Sequence, residues 1–458
     1  MKSFRPDRAR VAREIRATIR LALPLILAQL AAVGTNMVDA MLAGHHSAHV
    51  LGAVAVGASI WSLGIFSGIG VMLAVPPSVS QLDGAGRRHE VGAVFRQALW
   101  LALAMGTLLW FAVRHAAPLI ALIGVAPGLR DEVGEFLHAI SWGAPALTCY
   151  FALRGLSEGL SMTRPSMYFS LGGLAVLAPL GYVLMFGKLG LPPQGARGCG
   201  IATALVLWLE MGAFAIYVAR HRNYRGLGLG ERFDPPRLGR IGELLWVGLP
   251  MAVTLLAEGG LFVAVALALG TLGENVVASH QVALNIASFF FMIPLGLAMA
   301  ITVRVGHAVG RGDASGVRYA GLCGIGLTLI TQMVSAGLML SMPHVIASLY
   351  TRDVAVITTA TELIVLAGFF QFSDGIQVAS NGALRGLKDT RVPMVFTLFA
   401  YWIVGMPVGW WLAFRQGLGA RGMWMGLIAG LSVAAVLLFT RFARSSFRER
   451  WRRAATVT

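Results

Sequence analysis

The sequence predicts an all-α membrane protein with twelve transmembrane helices. Of its 458 residues, 57% are hydrophobic and only 13% are charged, and its mean hydropathy is +0.72. Apolar runs long enough to cross a bilayer recur along the whole chain. The expected spans are 19–43, 51–78, 95–115, 134–155, 165–187, 199–219, 244–270, 278–302, 317–340, 356–383, 392–414 and 420–441. The chain therefore has the lipid bilayer as its solvent and is not a soluble protein with a large core.

The basic residues support this span count. A net charge of +16 alone would suit a nucleic-acid partner. The Lys and Arg residues instead lie between and beyond the apolar runs, where topology signals lie. With twelve spans, 30 of them fall on the side of the two termini and 7 on the other side. We therefore expect both termini in the cytoplasm and no binding of nucleic acid.

The chain also repeats itself. A polar connection over 221–240 separates residues 1–220 from residues 241–458, with six expected spans in each part. LPLILAQL from Leu23 and LPMAVTLL from Leu249 are 226 residues apart, as are SVSQLDGAG from Ser78 and RVGHAVGRG from Arg304. Since six is even, both halves insert the same way up. The repeat predicts two six-helix bundles, related by a pseudo-two-fold axis along the membrane normal, with a substrate cavity between them.

Three carboxylates in apolar spans are the candidate functional residues: Asp39 in span 1, Glu258 in span 7 and Asp374 in span 10. A charged group inside a bilayer costs a few kcal/mol or more, so such an acid is expected to face a cavity or a partner. No Lys or Arg lies near the centre of any expected span. Acids without basic partners favour a site for protons, Na⁺ or organic cations.

Two further acids have a simpler interpretation. Glu210 interrupts the apolar run of span 6, and Glu362 lies near the outer end of span 10. A polar side chain in a span often does no more than bond a neighbouring helix. We expect that role for both acids, and the sequence leaves a further role open.

Several long motifs resemble the multidrug and toxic compound extrusion (MATE) family, in particular its NorM-type bacterial branch. They include VDAMLAG around Asp39, GLPMAVTLLAE before Glu258, VVASHQVALNIASFFFMIPLG, and QFSDGIQVASNGALRGLKDTRVPM around Asp374. The resemblance covers Leu21 to about Arg441. It implies export of cationic and lipophilic drugs or dyes across the bacterial inner membrane, in exchange for Na⁺ or H⁺. It also implies a V-shaped pair of six-helix bundles, no cofactor beyond the coupling ion, and no enzymatic activity. We further expect a monomer.

The resemblance assigns roles to individual residues. Asp39 matches an acid of the family's N-lobe proton or cation site. Glu258 and Asp374 match the acids of the C-lobe that are implicated in coupling, and they would be the metal ligands if the ion is Na⁺. Gln281 and Asn285 match polar residues that line the C-lobe side. We place Phe370 and Gln377, on the helix of Asp374, in the cavity lining as well.

The chain departs from the family at two places. Many relatives have a Tyr where this chain has Phe370, four residues before the span-10 acid. Relatives of this branch often carry two Asn around a Pro in span 5, where this chain has Leu177 and Gly181 around Pro179. Both departures remove polar groups that could hold Na⁺. They favour H⁺ without deciding the identity of the ion.

Two alternatives remain. A lipid-linked saccharide flippase of the same superfamily would need Arg or Lys in its cavity to hold an anionic lipid, and none is expected there. A membrane-embedded polyprenyl-dependent transferase would need paired acids in a loop at the membrane surface, whereas these acids lie in mid-span.

Overall fold

The structure, a computed structural model, describes residues 7–122, 125–230 and 234–447, apart from the side chain of residue 119. Helices account for nearly all of this described part, and it contains no β-strand. The ends of the basic arm and tail, 1–6 and 448–458, and positions 231–233 of the predicted connection lie outside it. The helices are α1 Arg8–His46, α2 Ala48–Met72, α3 Val75–Gly84, α4 Arg88–Arg114, α5 Ala117–Leu122, α6 Pro127–Ser141, α7 Ala144–Gly159, α8 Arg164–Phe186, α9 Gly195–Arg220, α10 Leu238–Gly270, α11 Glu274–Gly310, α12 Ala314–Ser341, α13 Pro343–Ser348, α14 Val354–Gly386, α15 Arg391–Leu398, α16 Met406–Trp410 and α17 Gly419–Phe447.

The all-α class and the expected spans are confirmed. Eleven helical stretches are long and apolar enough to cross a membrane. A twelfth is the pair α6 and α7, which meet at a bend of 45° and coincide with the expected span 134–155. The bend lies at Pro145, in the first turn of α7, which has no backbone N–H to continue the hydrogen bonds of α6.

The chain forms two compact units. We call Leu27–Ala252 the N unit, and the residues up to Ile26 together with those from Val253 onward the C unit. The halves predicted from the repeat, 1–220 and 241–458, divide the chain differently and stay a prediction. The start of α1 belongs to the C unit, where Arg304 Nη2 donates to Glu14 Oε2 at 2.7 Å.

Glycines allow close backbone contacts within each unit. In the N unit, a methyl group on Gly70 would lie 2.3 Å from the Cα of Ala252, which holds the start of α10 against α2. In the C unit, a methyl group on Gly426 of α17 would lie 2.2 Å from the Cα of Gly409. Small residues at such contacts are the usual means by which membrane helices pack tightly.

The eleventh span is irregular. Two π-helical segments, Phe399–Gly405 and Trp411–Arg415, interrupt it on either side of the short α16. π-helical turns are rare and occur frequently at functional sites. The first segment, Phe399–Gly405, carries Tyr401, whose side chain is fully buried.

Candidate functional sites

The N unit encloses a cavity of about 530 Å³ around Asp39. Asp39 is on α1, and its Oδ2 accepts a hydrogen bond from Thr203 Oγ1 of α9 at 3.3 Å. Its Oδ1 is buried and has no hydrogen-bond partner among the described residues. The carboxylate therefore keeps one oxygen available to a proton or to a cationic ligand.

Glu210 lines the same cavity. Its carboxyl group lies directly over Gly173 of α8, so close that a methyl group at that glycine would collide with Glu210 Oε1. Glu210 forms no hydrogen bond to a neighbouring helix in the described part of the chain, but it interacts electrostatically with Arg154 of α7. The expectation that it bonds a neighbouring helix stays a prediction. Glu362, by contrast, does form an ion pair with a neighbouring helix, through Arg421 of α17.

A basic residue in this cavity was not expected from the sequence. Arg154 of α7 lines it with a side chain only 5% exposed. Its Nε donates to Glu158 Oε1 at 2.6 Å and its Nη2 to Gln29 Oε1 at 2.9 Å. The expectation of a cavity without Arg or Lys is therefore wrong for the N unit. It failed because Arg154 lies at the end of the expected span and was counted as a topology signal.

In the C unit, the structure brings Glu258 of α10 and Asp374 of α14 into one small cavity of about 60 Å³. Four of its nine described lining residues are aromatic, and Ser288 of α11 supplies the one neutral side-chain oxygen among them. Asp374 is only 3% exposed. Two acids in one dry pocket cannot both be charged without a counter-ion, so the pair is suited to bind a proton or a cation.

Phe370 lines this small cavity. Its predicted place in the lining of the substrate cavity stays a prediction. Its ring meets Phe262 edge to face at 6.4 Å between centroids and Trp424 at 5.8 Å. One residue before Asp374, the Ser373 hydroxyl bonds Ser432 of α17 at 2.7 Å. These contacts hold α10, α14 and α17 together around the two acids.

The other predicted lining residues lie outside that cavity. Gln281 Nε2 donates to Asn285 Oδ1 at 3.1 Å, and both side chains are exposed on α11. Gln377 is fully buried on α14, and neither atom of its side-chain amide has a hydrogen-bond partner among the described residues. The roles assigned to these three residues stay predictions.

Two residues near the acids of the C unit were missed by sequence reasoning. Tyr401 interacts electrostatically with both Glu258 and Asp374, and its buried hydroxyl has no hydrogen-bond partner in the described part of the chain. Arg385, which is 8% exposed at the end of α14, interacts electrostatically with Glu258. A tyrosine in an apolar run is typical of packing, so the run YWIVG gave no signal for Tyr401.

A larger hollow of about 1140 Å³ lies elsewhere in the N unit, beside α5, α6 and α9. Arg130, Glu135, His138 and Arg197 are among its lining residues. It contains none of the predicted site residues, and its charges of both signs give no preference for a cation.

Comparison with known proteins identifies relatives over nearly the full length. The family model described as MatE matches residues 24–183 and 250–411. The chain is 49% identical over 439 residues to the probable multidrug resistance protein NorM of Xanthomonas campestris pv. campestris, covering 96% of each chain. It is 43% identical over 447 residues to the multidrug resistance protein PmpM of Pseudomonas aeruginosa, covering 96% of this chain and 93% of that protein.

Solved structures show the same fold. The eukaryotic MATE transporter AtDTX14 matches with a TM-score of 0.86 at 22% identity, over 96% of this chain and 100% of that one. An outward-facing multidrug resistance MATE family transporter matches with a TM-score of 0.87 at 19% identity, over 95% and 97%. At these identities, the likeness applies to the fold alone.

Proposed function

Since the chain belongs to the MatE family, we propose that it is a secondary antiporter that exports cationic and lipophilic drugs and dyes in exchange for a coupling cation. The names of the relatives in Xanthomonas and Pseudomonas support multidrug export. The proposal rests on the position of Asp39, Glu258 and Asp374, which line cavities between apolar helices. Buried acids of this kind are expensive unless they bind something.

We propose that the Glu258 and Asp374 pair binds the coupling ion. Their shared cavity is too small for a drug molecule but large enough for a proton or a bare cation. Binding neutralises the pair and removes the cost of two like charges in a dry site. For this to drive export, the ion must bind one conformational state of the protein better than the other, since only differential affinity shifts an equilibrium.

H⁺ is the coupling ion that the C unit favours. Na⁺ requires several oxygen ligands, and apart from the two acids only Ser288 among the described lining residues offers a side-chain oxygen. Phe370 presents a ring where a tyrosine would present a hydroxyl. Protonation needs no further ligand, because it converts a carboxylate directly into a neutral acid. If the ion is Na⁺ instead, Glu258 and Asp374 are its ligands and Ser288, which lines the same cavity, is the candidate for a third oxygen.

We propose that the N unit binds the substrate. Its cavity of about 530 Å³ has the size of a drug site and combines aromatic walls with carboxylates. Asp39, with one oxygen available, is the counter-charge for an organic cation. A proton on Asp39 removes that charge, so proton binding and cation binding compete at this residue.

The flippase alternative remains disfavoured although Arg154 is present. Its guanidinium is already paired with the Glu158 carboxylate at 2.6 Å. The cavity retains two further carboxylates, Asp39 and Glu210. An anionic lipid headgroup would therefore meet a net negative site. The positions of the acids inside helices likewise support a transporter over a membrane-embedded transferase.

We place the protein in the inner membrane of a bacterium, as a monomer with both termini in the cytoplasm. The distribution of basic residues supports the orientation, and the bacterial relatives support the membrane. A reporter enzyme that works only in the cytoplasm should be active when it is fused after 447 and when it is inserted in the connection at 221–240. Activity of a reporter that works only in the periplasm, at either position, would contradict this orientation.

Export itself is tested in cells that lack their own efflux pumps. Expression of the chain should lower the accumulation of a cationic dye such as ethidium, and Glu258→Gln and Asp374→Asn should each restore accumulation at equal protein levels. Glu362→Gln is the matched control, because Glu362 pairs with Arg421 outside both cavities. Undiminished dye export by both variants would contradict the proposed function.

A further inference from the structure

The N-unit cavity contains a second acid whose role the transport mechanism does not require. Glu210 and Thr203 are seven residues apart on α9, and both line the cavity. Seven residues are almost two helical turns, so the two side chains lie on the same face, separated by roughly 10 Å along the axis. The Asp39 carboxylate lies at the level of Thr203 along the α9 axis, because the Thr203 hydroxyl donates to it at 3.3 Å. The two acids thus face one cavity at two separate levels.

The charges of the cavity do not cancel. Arg154 is the one basic residue among the cavity's described lining residues. It pairs with the buried carboxylate of Glu158 at 2.6 Å and also interacts electrostatically with Glu210. One guanidinium thus faces the three carboxylates of Glu158, Asp39 and Glu210, which leaves two negative charges in excess when all three acids are ionised. Trp61 and Phe136, which line the same cavity, provide apolar surface for the part of a ligand that joins two cationic groups.

The shape of the site around Glu210 is built into the helix packing. The carboxyl group occupies the space over Gly173, where any larger residue would collide with it. The buried Asp39 Oδ1 has no hydrogen-bond partner among the described residues. Packing therefore holds the Glu210 carboxyl group in place. The Asp39 carboxylate, which lines the same cavity, keeps a buried oxygen that has no hydrogen-bond partner among the described residues.

From this geometry, we infer that the N-unit cavity is a two-point binding site for elongated organic dications, in which Asp39 binds one cationic group and Glu210 binds the other. Glu210 is then a specificity-determining residue that distinguishes dications from monocations. The inference rests on the proposed function, because it requires that the cavity binds transported cations.

The test uses two probes with the same six-carbon chain, of which only one has a second cationic group. Hexamethonium carries a trimethylammonium group at each end of a six-carbon chain, and hexyltrimethylammonium carries only one. Uptake of each radiolabelled probe is measured in inside-out membrane vesicles that contain the full chain. We expect Glu210→Gln to raise the KM for hexamethonium about tenfold, the loss of one ionic contact, and to change the KM for hexyltrimethylammonium less than twofold. Glu362→Gln should change neither value.

A second variant protects the test from a failure of Glu210→Gln to fold. Gly173→Ala keeps the Glu210 carboxylate but displaces it from its place over α8, so it should reproduce the selective loss for hexamethonium. Equal changes in KM for both probes, or no change for either, in a folded variant would overturn the inference and leave the proposed function intact. Absence of uptake of every cation by the wild-type chain would contradict the proposed function itself.

Discussion

The two units treat their acids in opposite ways. In the N unit, Asp39 and Glu210 lie at separate levels of a cavity of about 530 Å³, with hydroxyl groups and a paired arginine nearby. In the C unit, Glu258 and Asp374 share a cavity of about 60 Å³ with aromatic walls. Space for an organic molecule exists in the first case but not in the second. A repeated sequence has thus produced one cavity suited to a substrate and one suited to an ion.

The largest expected effect comes from the acids of the C unit. Asp374→Asn or Glu258→Gln should lower ion-driven transport by at least about a hundredfold, because the residual amide can no longer exchange a proton. Binding of a fluorescent cation to the purified protein should change less than twofold, since the N-unit cavity is intact. A parallel loss of binding and transport would contradict the division of labour between the units.

Asp39→Asn should affect both quantities. Loss of the carboxylate removes one ionic contact, and we expect the Kd of a fluorescent cation to rise about tenfold. Transport should fall by at least the same factor. Equilibrium binding in detergent measures the effect. Thr203→Val is the control, because it keeps the Asp39 carboxylate and removes the hydroxyl that lies within hydrogen-bond distance of both Asp39 and the Cys199 carbonyl. An unchanged Kd would show that the substrate does not contact Asp39.

A stability effect of intermediate size is expected at the buried ion pair of the N unit. Arg154→Met leaves the Glu158 carboxylate, 2% exposed, without its partner. An unpaired buried charge costs about 3–5 kcal/mol, so the Tm of the purified protein should fall clearly. The double variant with Glu158→Leu should recover most of the loss, because it removes both charges. A single variant as stable as the wild type would show that the pair is solvated.

Features that depend on neighbouring residues in the sequence could be predicted, whereas features that depend on contacts between distant residues could not. Hydropathy located every span and the acids Asp39, Glu258 and Asp374, because the cost of burying charge is a local property of the chain. It did not reveal the bend between α6 and α7, although Pro145 in the first turn of α7 marks this position in the sequence.

Long-range contacts explain the remaining differences. The position of Arg154 at the end of the expected span 134–155 indicates a topology signal, and its contact with Gln29, 125 positions away, is not visible in the sequence. Tyr401 reaches the acids of the C unit only through a π-helical segment that no apolar pattern indicates. Glu210 was assigned to helix bonding, since nothing in its own span shows that Gly173 of α8 leaves room for it.

The smallest expected effect concerns ion choice. Phe370→Tyr places a hydroxyl next to Glu258 and Asp374 in the same cavity. Its ring contacts with Phe262 and Trp424 should persist, so stability should change by less than about 1 kcal/mol. We expect Na⁺ to stimulate transport a few-fold in this variant and not in the wild type. Equal Na⁺ responses of the two proteins would show that position 370 does not select the ion.

We propose that protons on buried carboxylates drive export, and proteoliposomes containing the purified protein provide the most direct test. A pH gradient and a Na⁺ gradient are imposed separately, and the movement of a fluorescent cation is followed. We expect transport with the pH gradient alone, and its loss in Asp374→Asn. Transport that needs the Na⁺ gradient and ignores the pH gradient would contradict the claim and make Glu258 and Asp374 ligands of a metal ion.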